Sequence, residues 1–136
     1  MSHTYKITDP SQMNATFAKA FNNNRDIAGW LSLYEPDATL FDGTSPVVGH
    51  EAIRKALIPL TKAPGVMETK VNFSAVNGEI AVLRADYRIV HEGQIVIAGS
   101  AVEVARRQPD GRWLYIIDNA TGASAPSAWG NSPKKD

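Results

Sequence analysis

Two hydrophobic rhythms divide this chain, one of period three to four and one of period two. Met13, Phe17, Ala20 and Phe21 fall at spacings of four, seven and eight, one face of a helix. Asp9-Pro10-Ser11-Gln12 starts that helix: Asp9 can accept from free amides, Pro10 suits the first helical position, and Gln12 can close a capping box. The run Asn22-Asn23-Asn24 ends it. Asp26 then caps a predicted second helix with Ile27, Trp30, Leu31 and Tyr34 on its apolar face, stopped by Pro36. A short strand is expected from Ala38 to Asp42, with Gly43 and Pro46 bounding a turn and Val47-Val48 a brief strand beyond it. Ile53, Ala56, Leu57 and Leu60 mark a third helix, whose last turn Pro59 should weaken.

After Ala63-Pro64-Gly65 the pattern changes to strands: Val66 to Val76, Ile80 to Val90, Ile95 to Arg107 and Trp113 to Ala120. Asn77-Gly78, His91-Glu92-Gly93-Gln94 and Pro109-Asp110-Gly111 join them as tight turns, which predicts an antiparallel meander. Helices first and sheet afterwards argue for an α+β fold. The residues from Gly122 onward, rich in Ala, Ser, Pro and Lys, read as a flexible tail, with Trp129 able to strap back over an apolar surface.

Composition narrows the function. The chain's 136 residues make one domain able to bury roughly 68% of its unfolded surface. Fourteen basic and fourteen acidic side chains give zero net charge, which speaks against nucleic acid or an anionic membrane as partner. The absence of cysteine excludes disulfides, thiolate metal sites and a cysteine nucleophile. Met1 to Lys6 lack the apolar core of a signal peptide, and no apolar run approaches the ~20 residues of a membrane span, so a cytoplasmic protein is expected. His3, His50 and His91 share no metal-ligand spacing, and there is no phosphate loop, nucleophile elbow or dinucleotide fingerprint, so neither metal nor cofactor is expected.

Alternation assigns strand side chains to faces. Ala81, Leu83, Ala85, Tyr87 and Ile89 share one face; Arg84, Asp86 and Arg88 share the other and read as a solvated ladder or subunit contact. Asp86 between two arginines is a poor base. Ile95, Ile97, Gly99, Ala101 and Glu103 share a face, so Glu103 either continues a buried row, with a raised pKa, or is solvated or paired with Arg106. On the last strand Trp113, Tyr115, Ile117 and Asn119 lie opposite Leu114, Ile116 and Asp118, and Asp118 faces either a pocket or an interface. Asp42 ends an apolar strand where the chain must turn, a place suited to a general base.

The order and spacing of Asp26-Ile27, Leu33-Tyr34, Pro36-Asp37-Ala38-Thr39, Gly49-His50-Glu51-Ala52-Ile53 and Asp110-Gly111-Arg112-Trp113 resemble the SnoaL-like and ketosteroid-isomerase-like proteins of the nuclear transport factor 2-like superfamily, over about Ser11 to Thr121. The resemblance implies N-terminal helices on a curved, mainly antiparallel sheet, wrapped into a cone around an apolar cavity, with homodimers formed through the sheet. It also implies a mostly apolar small molecule in that cavity. Asp42 falls where the steroid isomerases keep a proton-shuttling aspartate, and Glu103 where they keep a protonated acid that stabilises the enolate. Asp118 is the nearest match to the acid–base aspartate of the polyketide cyclases. The isomerases' first-helix tyrosine falls near Ala18, beside Phe17, and neither carries a hydroxyl; Tyr87 offers a phenol from the sheet. Phe17, Phe21, Trp30 and Tyr34 are core aromatics, some of which should line the cavity. Such folds serve isomerases, cyclases, dehydratases and non-catalytic modules alike. The expectation is an acid–base enzyme acting on an apolar carbonyl compound, with a dimeric ligand-binding or protein-interaction module as the alternative.

Overall fold

Residues 4–124 are described by the computed structural model. A 3₁₀ turn at Pro10–Gln12 leads into α1 (Met13–Asn22), followed by α2 (Ile27–Leu31), β1 (Tyr34–Asp42), β2 (Ser45–Val48) and α3 (His50–Leu57). A second 3₁₀ turn, Ile58–Lys62, precedes β3 (Val66–Asn77), β4 (Ile80–His91), β5 (Gln94–Arg107) and β6 (Trp113–Asn119). The Asp9 carboxylate accepts from the Ser11 amide at 3.0 Å, as its position before Pro10 predicts. Asp9→Ala should cost about 1 kcal/mol, read as a lower urea midpoint at unchanged slope.

The second helix is shorter than its periodicity suggested. It ends at Leu31, and Tyr34 opens β1 instead of closing the helix. Pro36 therefore sits inside a strand. It is tolerated because β1 pairs with β6 at Tyr34 and then not until Thr39, so no ladder bond needs the missing amide hydrogen. Pro59 acts as foreseen: α3 stops at Leu57 and the chain tightens into the 3₁₀ turn.

The six strands form one open mixed sheet in the order β2-β1-β6-β5-β4-β3. β3 to β6 make the predicted antiparallel meander, while β1 lies parallel to β6. Register breaks between Val71 and Phe73, Ile89 and Val90, and Val104 and Ala105 insert extra residues, each of which bends its strand. The helices cover one face. Between them and the sheet lie fully buried Met13, Phe21, Trp30, Leu33, Tyr34, Ile53, Leu83, Ile89 and Tyr115.

The expected tail begins beyond Thr121, but Ala123 N–H donates to the Ser100 carbonyl at 2.9 Å, so its first residues run against β5. Trp129 lies outside the described residues. Among the described residues no helix is long and apolar enough to cross a membrane.

Candidate active site

The inner face of β4 is the one that alternation selects. Ala81, Leu83, Ala85 and Ile89 are buried, and Tyr87 is half-buried. On the outer face Arg88 pairs with Glu68 at 2.6 Å, and Asp86 accepts from Ser100 Oγ at 2.7 Å and from Asn72 at 3.3 Å. The hydrogen bonds from Ser100 and Asn72, more than the charge of Arg84, hold the Asp86 carboxyl below the usual range. Asp86 is thus held mainly by neutral donors and not by the flanking arginines.

Between the helices and this face lies a cavity of about 250 Å³. Phe17, Leu60, Met67 and Ile97 furnish apolar wall, and Ala85 and Ala101 make a low floor whose short side chains leave the space open. Tyr87 lies over Gly99, its partner across the β4–β5 ladder, and a Cβ at Gly99 would collide with the phenol. The missing side chain is what allows the ring to lie there, at the cavity's edge.

One rung crosses the closed end: Leu83 on β4, Glu103 on β5, Asp118 on β6 and Leu40 on β1. Both acids are only 5% exposed, so Glu103 continues the buried row and the solvated alternative fails. Arg106 instead grips Glu35, at 2.8 and 2.9 Å. Strict alternation would place Asp118 on the face opposite Tyr115. The register break changes this: Ala105 pairs with Tyr115 and Val104 with Ile117, so Ile116 is the extra residue and Tyr115 and Asp118 share the inner face.

Among the described residues each acid has one side-chain hydrogen-bond partner. Asn14 Nδ2 lies 2.9 Å from both Glu103 carboxyl oxygens, and the Tyr34 hydroxyl donates to Asp118 Oδ2 at 2.5 Å. Burial, then the charge of Asp118, pushes Glu103 up to about 8, against the pull of Asn14. Burial pushes Asp118 up to about 6, against the hydrogen bond from Tyr34. Adjacent and buried together, the two carboxyl groups are both pushed upward and titrate as a coupled pair. Burial also lifts the Tyr34 and Tyr115 phenols well above their usual range, so both stay protonated.

The other expected site residues separate. Asp42 is exposed and lines the cavity, two residues along β1 from Leu40. That spacing puts its Cα roughly 8 Å from that of Asp118. Phe17 and Tyr87 line the cavity; Phe21, Trp30 and Tyr34 do not. Trp30 lies behind Phe17, stacked on it at 4.7 Å and on Phe21 at 6.0 Å, with its indole N–H on the Phe17 carbonyl. Tyr34 supports Asp118 instead of touching the cavity. His50 begins α3, its ring bonded to the Tyr34 carbonyl at 2.9 Å. Among the described residues no group of three or more His, Cys, Asp or Glu side chains is disposed to hold a metal ion.

Asn14 was not foreseen. It stands one turn before Phe17 and Ala18 on the buried stripe of α1, where a polar residue is out of place unless bonded. That mismatch was the available signal. The first helix thus reaches the acid pair through an amide, at a position where no hydroxyl is present.

No curated protein matches this sequence. Solved structures do match by shape. A nuclear transport factor 2-like protein of unknown function from Pseudomonas putida KT2440 superposes with a TM-score of 0.63 at 21% identity, covering 81% of each chain. A ketosteroid isomerase-like protein from Erwinia carotovora atroseptica gives a TM-score of 0.61 at 16% identity, covering 79% of this chain and 88% of its own. A Mycobacterium tuberculosis protein of unknown function gives 0.69 at 20% identity, over 92% of this chain and 79% of its own. At such identities the likeness is one of fold. The sequence pattern of the SnoaL-like domain itself matches residues 14–116, from the amide beside Glu103 into the strand that carries Asp118, and the chain belongs to the SnoaL-like domain family.

Proposed function

We propose that this chain is an acid–base enzyme that moves a proton next to the carbonyl of a small, mostly apolar molecule, in the manner of an isomerase, cyclase or dehydratase. The observation that carries this reading is the carboxyl pair Glu103–Asp118, adjacent on one rung at the closed end of an apolar cavity, where burial pushes both upward. A protonated Glu103 donates to the oxygen on which charge develops, from a buried position where such an interaction is stronger than in water. Asp42, at the exposed edge, takes the proton from carbon, and the ionised Asp118 helps keep the Glu103 proton in place. Tyr87 offers a further phenol from the cavity's edge.

The test is exchange. A panel of neutral one- and two-ring ketones and enones, incubated with the protein in D₂O and followed by NMR, should show protein-dependent loss of protons α to the carbonyl. A second reading is favoured by Phe17 and Ala18, which bring no hydroxyl to the site: a non-catalytic module that holds a hydrophobic ligand. It predicts no exchange across the panel, together with an intact apolar compound released on denaturation and seen by mass spectrometry.

The same proposal includes a homodimer through the outer sheet face. There Ala75, Val82, Val104 and Ile117 form one rung, with Val82 36% and Ile117 41% exposed, an apolar band running across four strands.

A further inference from the structure

The cavity carries a chemical bias that the proton-transfer reading does not require. Three acids line it, Asp42, Glu103 and Asp118, and among the described residues no lysine, arginine or histidine does. Arg25, which packs on α1, and Arg106, on the exposed end of β5, are both engaged elsewhere. Arg25 donates to the Ala63 and Gly65 carbonyls and lies over the Phe21 ring, while Arg106 is held by Glu35. A negatively charged group reaching the closed end would find no counter-charge, and would face Asp118 across a poorly screened space.

The hydrogen-bond inventory adds a second constraint. Asp118 Oδ2 is taken by Tyr34, but Asp118 Oδ1 is buried with no partner, and so is Asn14 Oδ1. Both residues line the cavity and both are 95% or more removed from solvent, being 5% exposed. Buried acceptors left open are unfavourable, and a ligand that donates to them relieves the deficit.

We infer that the closed end of the cavity selects ligands that carry an O–H or N–H donor and no negative charge, and that it rejects carboxylates and phosphates. Within the proposed reaction the substrate would then be a hydroxy- or amino-carbonyl compound, with its donor on Asp118 Oδ1 and its carbonyl toward Glu103. A cavity of about 250 Å³ lies below the ~300–1,000 Å³ of drug-sized pockets, which points to one or two rings. The inference rests on the proposed site but not on turnover.

The test uses three probes on one ring frame, 2-naphthol, 2-methoxynaphthalene and 2-naphthoate, titrated into the full chain at pH 7 by calorimetry. The naphthol should bind at least tenfold tighter than either of the others. In Asp118→Asn, with folding checked by circular dichroism, naphthoate affinity should rise at least tenfold, because the charge is gone and an amide N–H can face the anion. If that variant does not fold, the unmodified protein's series decides alone. Naphthoate binding within threefold of naphthol, an unchanged ratio in a folded Asp118→Asn, or no binding of any probe at millimolar concentration would overturn the inference. Failure of ketone exchange with the naphthol preference intact would sink the enzymatic reading and leave this one standing.

Discussion

Raising the pH from 5 to 9 should destabilise the folded chain, and Glu103→Gln should remove most of that loss. An unfolded Glu103 releases its proton near 4.5, whereas the folded one keeps it up to about 8. Across that window the folded state binds more protons than the unfolded state, so stability falls as pH rises. Asp118 acts in the same direction between 3.8 and about 6. At one pKa unit per 1.36 kcal/mol, Glu103 alone accounts for roughly 3–5 kcal/mol by pH 9. For a domain of this size that is a drop in Tm of about 10 °C or more. The glutamine keeps the shape and can still bond to Asn14, but it cannot ionise, so the variant should match its parent at pH 5 and exceed it at pH 9. The surface carboxylates Glu35, Glu51, Asp86 and Asp110 are shifted downward, so their contributions change with pH below about 4.5, outside this window. A parent Tm that climbs between pH 5 and 9, or an equal slope in Glu103→Gln, would contradict the buried pair.

What the sequence could disclose follows from which physical signals are local. The four long strands and their turns were legible because Asn77-Gly78 and Pro109-Asp110-Gly111 fix turn geometry by themselves and the alternation on β4 is unbroken. Glu103 was legible as a carboxyl group continuing an apolar row. Asp118 was not, because its face depends on one extra residue at Ile116, and a one-residue slip turns every later side chain over. The same effect lifts Ile95 away from Ile97: the break at Val90 leaves Ile95 58% exposed. Tyr34 misled for a different reason. Its spacing after Ile27 and Leu31 fits a helix, yet parallel pairing with Tyr115 draws it into a strand, where its hydroxyl meets Asp118. Long-range partners of this kind leave no trace in a periodicity.

The closed end and the mouth of the cavity divide the chemistry, and this division sets the largest expected effect on activity. Asp42→Asn should lower turnover of any ketone found active in the exchange assay by about 10²–10⁴-fold, the usual contribution of a positioned general base. Its Tm should barely move, since the residue is exposed and the substitution keeps its size. Glu103→Gln tests the opposite end. With Glu103 donating in its protonated form, turnover of the parent should fall as pH rises through about 8, and the glutamine variant should lose that limb while keeping reduced activity below it. The two variants therefore differ in kind: one removes the base at all pH values, the other removes a pH dependence. A less than threefold loss in Asp42→Asn, with a loss of 10²-fold or more in a folded Asp118→Asn, would move the base from the rim to the buried rung. The proton would then be taken beside Tyr34, at the Oδ1 that has no partner in the free protein.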